Sequence, residues 1–394
     1  MTEGPLSGVF VLELGQLLAG PWAGALLGYL GADVVKVEPP DGDPIRTWRT
    51  LDPSGTSYWW RTIARNKRCI TIDLRQPEGR DLAKALARRA DVLIENFRPG
   101  TMERWGLGPE VFATLKPDLV YARVSGYGQT GPYRDRPGYA AVAEAVGGLR
   151  HLTGEPGRPR VRSNVSLGDT LAGLHAALGI LAALYERDAS GSGRGQVVDT
   201  ALYEAVFSVL EGVVSEHAGA GHVRQPSGGT VTGIVPSNAY PCKGGHEVMI
   251  GANGTSLYTR LMEAIGRHDL AVDPGLADNP GRVARAAEVD AAIGAWTAQR
   301  TVGEVVDALV AVSIPCGPVY DAADMAADPH FRARELFEAV DGVVLPAIAP
   351  KLSRTPGRTR WAGRALGADT DAVLAELLDL DPAAIEALRA RGVI

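Results

Sequence analysis

Short apolar segments alternate with helical patterns throughout the first 125 residues of this chain. The short segments are rich in Val, Ile and Leu, as buried strands are; they are residues 9–14, 33–38, 69–74, 91–95 and 119–124. Helical patterns occupy residues 22–30 and 77–89 between them. Strands that alternate with helices predict βαβ units and a mostly parallel sheet of the α/β class. Functional residues are then expected directly after the carboxyl ends of the strands.

One carboxylate, Asp169, stands at the start of a long apolar segment. It follows Gly168, and no other acid occurs from Leu171 until Glu186. An Asp in front of an apolar helix accepts hydrogen bonds from the first free N–H groups and is stabilised by the helix dipole. A carboxylate that stays ionised among backbone N–H groups is also a nucleophile, and it can attack an activated acyl carbon to form a mixed anhydride. The local pattern therefore indicates helix capping, nucleophilic catalysis or both.

The composition argues against several classes of protein. With 394 residues, 45% of them hydrophobic, and a mean hydropathy of −0.01, the chain suits a globular protein of one large or two moderate domains. A net charge of −6 without a basic stripe argues against nucleic acid as a partner. The first eight residues lack a signal-peptide pattern, and the apolar segments are interrupted before the length of a membrane span. We therefore expect a cytoplasmic protein with no membrane partner.

Cysteine and histidine are too scattered to suggest cross-links or metal ligands. The three cysteines, Cys69, Cys242 and Cys316, lie far apart with no CxxC spacing, which fits a reducing compartment. No pair among the seven histidines has HxH or HxxxH spacing. The sequence predicts neither a disulfide framework nor a metal site.

A dinucleotide site is one alternative for the first βαβ unit. Residues 15–24 carry several glycines after the first strand, but they do not form GxGxxG. Glu38, at the end of the second strand, stands where a dinucleotide fold places its ribose-binding carboxylate. Pro21 removes an N–H group from the loop that would bind phosphate. The match is partial, and a glycine-rich packing loop is the favoured interpretation over a NAD-dependent oxidoreductase.

Essentially the whole chain resembles the class III CoA-transferase family, which includes formyl-CoA transferase and carnitine CoA-transferase. The resemblance lies in separate motifs that follow in order. They are residues 18–21 (LAGP), 30–40 (LGADVVKVEPP), 65–68 (RNKR), 95–100 (ENFRPG), 125–133 (SGYGQTGPY), 168–169 (GD), 193–199 (GRGQVVD) and 314–319 (IPCGPV). The resemblance predicts an acyl-CoA:carboxylate CoA-transferase that works through aspartyl-anhydride and aspartyl-CoA thioester intermediates. CoA and acyl-CoA are then substrates, and no cofactor is bound permanently.

The resemblance also implies an architecture. Two chains would thread through each other as an interlocked homodimer, each with a Rossmann-like large domain and a smaller αβ domain. On this basis we assign residues 1–205 to a large CoA-binding domain, 206–238 to a crossing linker and 239–330 to a small domain. Residues 331–394 are assigned to a return segment and C-terminal helices that complete the large domain.

The site residues implied by the resemblance come from several parts of the chain. Asp169 matches the catalytic aspartate. The residues expected to contact CoA or line the active site are Leu17, Leu18, Asn96, Phe97, Arg104 and Tyr139. Residues 251–254, with Gly251 and Gly254, are the candidate for a glycine-rich lid over the aspartate, although they carry fewer glycines than the formyl-CoA enzyme.

Relatives of the transferases suggest two further alternatives. α-Methylacyl-CoA racemases use a His–Asp pair, but no histidine lies near Tyr139, and His151 follows a different motif. An inactive relative acting as a scaffold is disfavoured because Asp169 is present.

The acceptor acid is not fixed by the sequence. A cluster of arginines suggests a second carboxylate on the acceptor, and therefore a small dicarboxylic acid; its members are Arg46, Arg49, Arg61 and Arg65. Trp59 and Trp60 suit a bulkier or aromatic acid equally well, and the arginines are also compatible with solvated surface charges.

Overall fold

The computed structural model describes residues 4–394, which form two compact units. The first comprises residues 4–149, 163–211 and 331–394, and the second comprises residues 150–162 and 212–330. Residues 150–162, which the sequence analysis assigned to the large domain, thus belong to the second unit. The chain returns to the first unit after residue 330.

Strands and helices alternate through most of the chain. In chain order the strands are β1 Phe10–Glu13, β2 Asp33–Glu38, β3 Lys67–Thr71, β4 Val92–Glu95, β5 Val120–Ser125, β6 Val197–Ala201, β7 Ser237–Pro241, β8 Glu247–Gly251, β9 Cys316–Pro318, β10 Phe337–Val340 and β11 Val343–Pro346. The helices are α1 Ala19–Tyr29, α2 Tyr58–Ile63, α3 Pro77–Ala87, α4 Thr101–Arg104, α5 Pro109–Leu115, α6 Ala140–Val146, α7 Leu149–Leu152, α8 Leu167–Ala189, α9 Leu202–Phe207, α10 Val213–Ala220, α11 Thr255–Ala264, α12 His268–Ala271, α13 Asn279–Ala284, α14 Ala286–Thr297, α15 Val302–Ala311, α16 Ala322–Ala327, α17 Pro329–Ala333, α18 Thr370–Leu378 and α19 Pro382–Ala390. Two 3-10 helices occupy Pro44–Thr47 and Pro274–Leu276.

The first unit is built on a parallel sheet of six strands, which confirms the predicted α/β class. The strand order is β3-β2-β1-β4-β5-β6, and every neighbouring pair is parallel. The direction of winding changes between β1 and β4, so a crevice opens there at the carboxyl ends of the strands. Strands β2 to β5 are almost wholly buried, as expected when helices cover both faces of a parallel sheet.

Successive residues of β1 belong to the two largest hydrophobic cores of this unit. Val11 packs on one face of the sheet with α1 and α8, and Leu12 packs on the other with α3, α5 and α18. Helix α1 begins at Ala19, three residues before its predicted start. Pro21 is tolerated because it lies in the first turn, where the N–H groups have no helical partner.

Helix α8 carries Asp169 and is the central helix of one face. It begins at Leu167 with Ser166 at the N-cap, and the Ser166 side chain makes no capping hydrogen bond, so the prediction that Asp169 is the N-cap residue is wrong. Asp169 lies instead at the third helical position, within the first turn. Among residues 4–394, α8 is the one helix long and apolar enough to cross a membrane, yet 44% of its most apolar window is buried and it packs against α1.

The second unit contains a small antiparallel sheet, β7-β8-β9, with helices packed around it. Strands β7 and β8 form an antiparallel hairpin. Residues 200–216 have an apolar pattern typical of a single helix, but β6 continues to Ala201 and two helices, α9 and α10, follow it. They are separated at Glu211, whose φ of +53° cannot continue a right-handed helix. Residues 206–238, predicted as a linker, therefore contain α10.

Candidate active site

The loop between β1 and α1 is held in place by side chains from elsewhere in the first unit. The Asn96 side chain binds both backbone groups of Gln16, accepting from its N–H at 2.8 Å and donating to its carbonyl at 2.7 Å. Leu17 has a φ of +64°, and its N–H donates to the carboxylate of Asp43 at 3.0 Å. Leu18 is buried and precedes α1 directly. The structure therefore places the side-chain amide of Asn96 on the loop, where it holds Gln16, the residue before Leu17.

A cavity of about 370 Å³ opens beside this loop, at the carboxyl ends of β1 to β4. Its lining includes Leu14, Gln16, Pro39, Leu74, Phe97 and Trp105. The rings of Phe97 and Trp105 meet edge to face, with their centroids 5.1 Å apart. A planar, partly apolar ligand group suits such walls, and the cavity lies where parallel sheets of this strand order bind ligands.

Arg104 lies beside this cavity in sequence, next to its lining residue Trp105. The Arg104 side chain is exposed, and it donates to the Thr101 hydroxyl at 3.0 Å. It makes no ion pair with any residue between positions 4 and 394. A guanidinium in this state can accept a phosphate without first giving up a carboxylate partner.

A buried ion network supports Phe97 and the helix that carries Arg104. Glu95 accepts from the Phe97 N–H and from Arg123, each at 2.8 Å, and Arg123 also pairs with Glu103 of α4 at 2.7 Å. Burial raises the pKa of Glu95 to about 7, against the opposing effect of Arg123. This network was not predicted from the sequence, although an acid at the end of a buried strand is a signal that could have indicated it.

Asp169 lies where α8 makes close contacts with two other helices. A methyl group in place of the Gly168 hydrogen would lie 3.0 Å from the carbonyl oxygen of Ala140, the first residue of α6. One at Gly173 would lie 2.7 Å from the carbonyl oxygen of Ala19, the first residue of α1. A methyl group would be crowded at Gly168 and would force a shift at Gly173. The starts of α1 and α6 therefore lie against the first two turns of α8, which carry Asp169.

Tyr139 is the residue immediately before α6, and its side chain is 65% exposed. Ala140 of α6 contacts Gly168 of α8. Tyr139 and Asp169 are the sequence neighbours of these two residues, so they lie beside the same contact between the helices. Asp169 itself is partly buried in the first turn of a helix of 23 residues, where the dipole stabilises a negative charge. This placement favours a negative charge on Asp169.

The candidate lid, residues 251–254, forms the turn between β8 and α11 in the second unit. Ala252 is fully buried, and the carbonyl of Asn253 accepts from the buried Arg282 at 2.8 Å. Gly251 ends β8 and Gly254 precedes α11, so the turn is anchored at both ends. Its role as a lid stays a prediction.

Glu38 is not available to bind a ribose. It is fully buried, and Arg46 donates to both of its oxygens at 2.7 Å while the Asp43 N–H donates to one of them at 3.0 Å. Arg46 in turn stacks on Trp60 at 3.7 Å. These contacts occupy the carboxylate and argue against the dinucleotide alternative. They also remove Arg46 from the arginines that could bind an acceptor acid.

Arg61 and Arg65 are likewise engaged within the fold. Arg61 pairs with Asp52 at 2.9 Å and donates to the carbonyl of Gly363 at 2.8 Å. Arg65 is fully buried and donates to the carbonyl of Pro346 at 2.7 Å. Both arginines tie the C-terminal return segment to α2 and the residues that follow it, so the expectation that they bind an acceptor acid is wrong.

Arg49 differs from these three arginines. Its guanidinium stacks on Trp59 at 3.9 Å, it is exposed, and its backbone has a φ of +64°. It has no carboxylate partner among residues 4–394. Trp59, on which Arg49 stacks, packs against the same apolar cluster as Leu17 of the loop between β1 and α1.

Comparison with known proteins identifies the family. The sequence profile of CoA-transferase family III matches residues 6–370. The chain is 44% identical to the succinyl-CoA–D-citramalate CoA-transferase of Chloroflexus aurantiacus, over 99% of this chain and 98% of that protein. It is 40% identical to the beta subunit of succinyl-CoA–L-malate CoA-transferase from the same organism, over 99% and 98% of the two chains. Its fold matches the crystal structure of a CAIB/BAIF family protein from Brucella suis with a TM-score of 0.86 at 34% identity, over 96% and 100% of the two chains. The motifs, the parallel sheet and these similarities agree, and the chain belongs to CoA-transferase family III.

Proposed function

We propose that this enzyme transfers CoA from an acyl-CoA donor to a carboxylic acid, with Asp169 as the nucleophile. The observation that carries the proposal is the position of Asp169 in the first turn of α8, where the starts of three helices meet. The helix dipole keeps the carboxylate ionised, and an ionised carboxylate is the reactive form.

The reaction needs four transfers and no net change of protons or electrons. An oxygen of Asp169 attacks the donor thioester carbon, the C–S bond breaks, and CoA leaves as a thiolate while a mixed anhydride forms. The thiolate then attacks the Asp169 carbonyl, which releases the donor acid and leaves an aspartyl-CoA thioester. The acceptor carboxylate attacks this thioester to give a second anhydride and free thiolate. The thiolate finally attacks the acceptor acyl carbon, which forms the new acyl-CoA and regenerates Asp169.

CoA fits the surroundings of this aspartate in the first unit. We infer that the adenine occupies the cavity walled by Phe97 and Trp105, and that Arg104 binds a phosphate group. Leu17, Leu18 and Tyr139 are then close to the thioester end. No cofactor is bound permanently in this proposal.

The proposed substrates are succinyl-CoA and a small dicarboxylic acid. The names of the two Chloroflexus relatives support this proposal, because each combines succinyl-CoA with a hydroxylated dicarboxylate. Arg49 is the arginine of the predicted cluster that has no carboxylate partner among residues 4–394, and it stacks on Trp59, which packs against the same cluster as Leu17. It is the group proposed to bind the second carboxylate of the acceptor.

We further propose an interlocked homodimer located in the cytoplasm. Helix α8 exposes an apolar stripe at helical spacing, formed by Leu174, Leu178 and Tyr185, which are 45%, 65% and 76% exposed. A second copy of this chain is the proposed occupant, because the family resemblance implies threaded chains and residues 206–238 would form the crossing segment.

The nucleophile is tested by Asp169→Asn, with Asp188→Asn as the matched control in the last turn of the same helix. Asp188 pairs with Arg187 at 2.7 Å and has no part in the proposal. Asp169→Asn should fold normally and lose nearly all transfer, because an amide cannot form and return the anhydride. Wild type incubated with acyl-CoA and hydroxylamine should gain a hydroxamate on the peptide that contains Asp169, and the variant should not. Wild-type turnover in Asp169→Asn, shown by mass spectrometry to be free of deamidation, would refute the mechanism.

A further inference from the structure

We propose that Asp43 is a positioning residue, which, with Lys36, fixes the loop between β1 and α1 in the conformation that receives the CoA ester. The inference rests on the proposed function only in naming the ligand. Asp43 is 2% exposed, so it acts through the loop and does not touch the substrate.

Lys36 connects three parts of the first unit. Its ammonium lies 3.1 Å from Glu13 at the end of β1, 3.2 Å from Asp43 and 2.7 Å from the carbonyl of Gly15 in the loop. Two of these contacts are hydrogen bonds, donated to Glu13 and to the Gly15 carbonyl, and the contact with Asp43 is an ion pair. Burial disfavours the charge of Lys36, but the surrounding carboxylates outweigh it and raise the pKa. Lys36 therefore stays charged and holds Gly15 of the loop.

Asp43 holds the strained residue of the same loop. Its two oxygens lie 3.2 and 3.0 Å from the N–H of Leu17, whose φ is +64°. A leucine adopts this left-handed conformation only when its surroundings impose it. Asp43 also accepts from the N–H of Ile45, which fixes its own orientation. The carboxylate therefore stabilises a backbone conformation that Leu17 does not prefer.

The charges around the loop are balanced. Glu13 pairs with Lys67 at 2.7 Å as well as with Lys36, and the carboxylate of Glu38 is taken by Arg46. Asp43 is the one carboxylate of this network that contacts the backbone of Leu17. Lys36 binds the backbone of Gly15, Asn96 that of Gln16 and Asp43 that of Leu17. Each of these three loop residues is therefore held by a buried or half-buried side chain. Such convergence indicates a preorganised binding loop.

The first test is Asp43→Asn, with Asp369→Asn as the matched control. Asp369 is also a buried carboxylate of the first unit, which accepts a backbone N–H, that of Cys69, at 2.8 Å and pairs with Arg364. Asp43→Asn should raise the KM for the acyl-CoA donor and the Kd for CoA at least tenfold, with the KM for the acceptor acid unchanged. Asp369→Asn should lower the unfolding midpoint without either effect. Equal effects of the two substitutions on donor KM would overturn the proposal.

The second test uses Leu17→Gly. Glycine adopts a φ of +64° without strain, so it does not need the Asp43 carboxylate to hold its backbone in place. In this background Asp43→Asn should change the Kd for CoA less than threefold, and if Asp43→Asn alone does not fold, the double variant should. If Asp43→Asn raises the Kd for CoA as much in the Leu17→Gly background as in wild type, Asp43 does not act through Leu17. A double variant that does not fold would refute the proposal equally.

A third measurement needs no ligand. The amide of Leu17 should exchange with solvent at least tenfold faster in Asp43→Asn, while the amides of β1 keep wild-type rates. An unchanged rate at Leu17 would overturn the proposal. Full turnover in Asp169→Asn would refute the proposed nucleophile and would leave these binding and exchange results untouched.

Discussion

Replacing Gly173 by alanine tests whether the contact between α1 and α8 sets the geometry around Asp169. The added methyl group would lie 2.7 Å from the Ala19 carbonyl oxygen and 2.9 Å from two atoms of Trp22. The nearest of these atoms belongs to the backbone and cannot rotate away, so the two helices must separate. Because Ala19 begins α1 directly after the loop that holds Leu17, this separation moves the loop relative to Asp169.

Two opposing effects decide the stability of Gly173→Ala. Alanine in a helix interior gains about 1 kcal/mol over glycine, and overpacking a tight contact costs about 1–3 kcal/mol. We expect a net loss of up to about 2 kcal/mol. Gly294→Ala is the control, because its methyl group would meet its nearest neighbour, Tyr240, at 4.0 Å in the interior of α14. That variant should gain about 0.5–1 kcal/mol.

The assay combines urea unfolding with steady-state kinetics. Gly173→Ala should unfold at lower urea than wild type and lose on the order of tenfold or more in kcat/KM, since small misplacements of reacting groups are costly. Gly294→Ala should unfold at equal or higher urea with wild-type kinetics. If Gly173→Ala is at least as stable as wild type and fully active, the close contact does not set the site geometry.

Four other outcomes are expected. Arg104→Ala should raise the donor KM roughly ten- to hundredfold, or ~1.5–3 kcal/mol, with kcat retained; a collapsed kcat at unchanged KM would show that Arg104 is misassigned. Arg49→Gln should raise the KM for dicarboxylic but not monocarboxylic acceptors, whereas Arg300→Gln, which removes a similar stack on a tryptophan, should change neither; equal losses for both acids would contradict the assignment. The pKa of Glu95 is raised from 4.5 to about 7, so its contribution to stability is present below pH 4.5 and is lost as the pH rises through 7. Wild type should therefore lose stability relative to Glu95→Gln across this range, and parallel pH profiles would refute the shift. Dilution should not dissociate the dimer, and a folded monomer at low concentration would exclude interlocked chains.

The sequence predicted the parallel sheet because burial on both faces imposes continuous apolar strands, and these strands are readable in any single sequence. It located Asp169 but misjudged its role in the helix. Helix α8 begins at Leu167, two residues before the aspartate, and the local pattern does not distinguish a cap from a first-turn residue. The break between α9 and α10 at Glu211 was missed because a left-handed backbone at a non-glycine residue has no strong sequence signal.

The partners of the polar and charged side chains are the feature of the structure that the sequence predicts least well. Arg46, Arg49, Arg61 and Arg65 look equivalent in the sequence. The structure of residues 4–394 separates three arginines that hold the fold together from Arg49, which has no carboxylate partner there. Their partners lie up to about 300 residues away, at carbonyls of the return segment, which no local pattern can predict. The contacts of Asn96 were also not predictable from the sequence. It was identified by position as a ligand-binding residue, and its contacts show an amide that holds Gln16. A motif thus marks where a site lies, whereas the division between residues that touch the substrate and residues that hold the loop depends on hydrogen bonds formed only when distant segments meet.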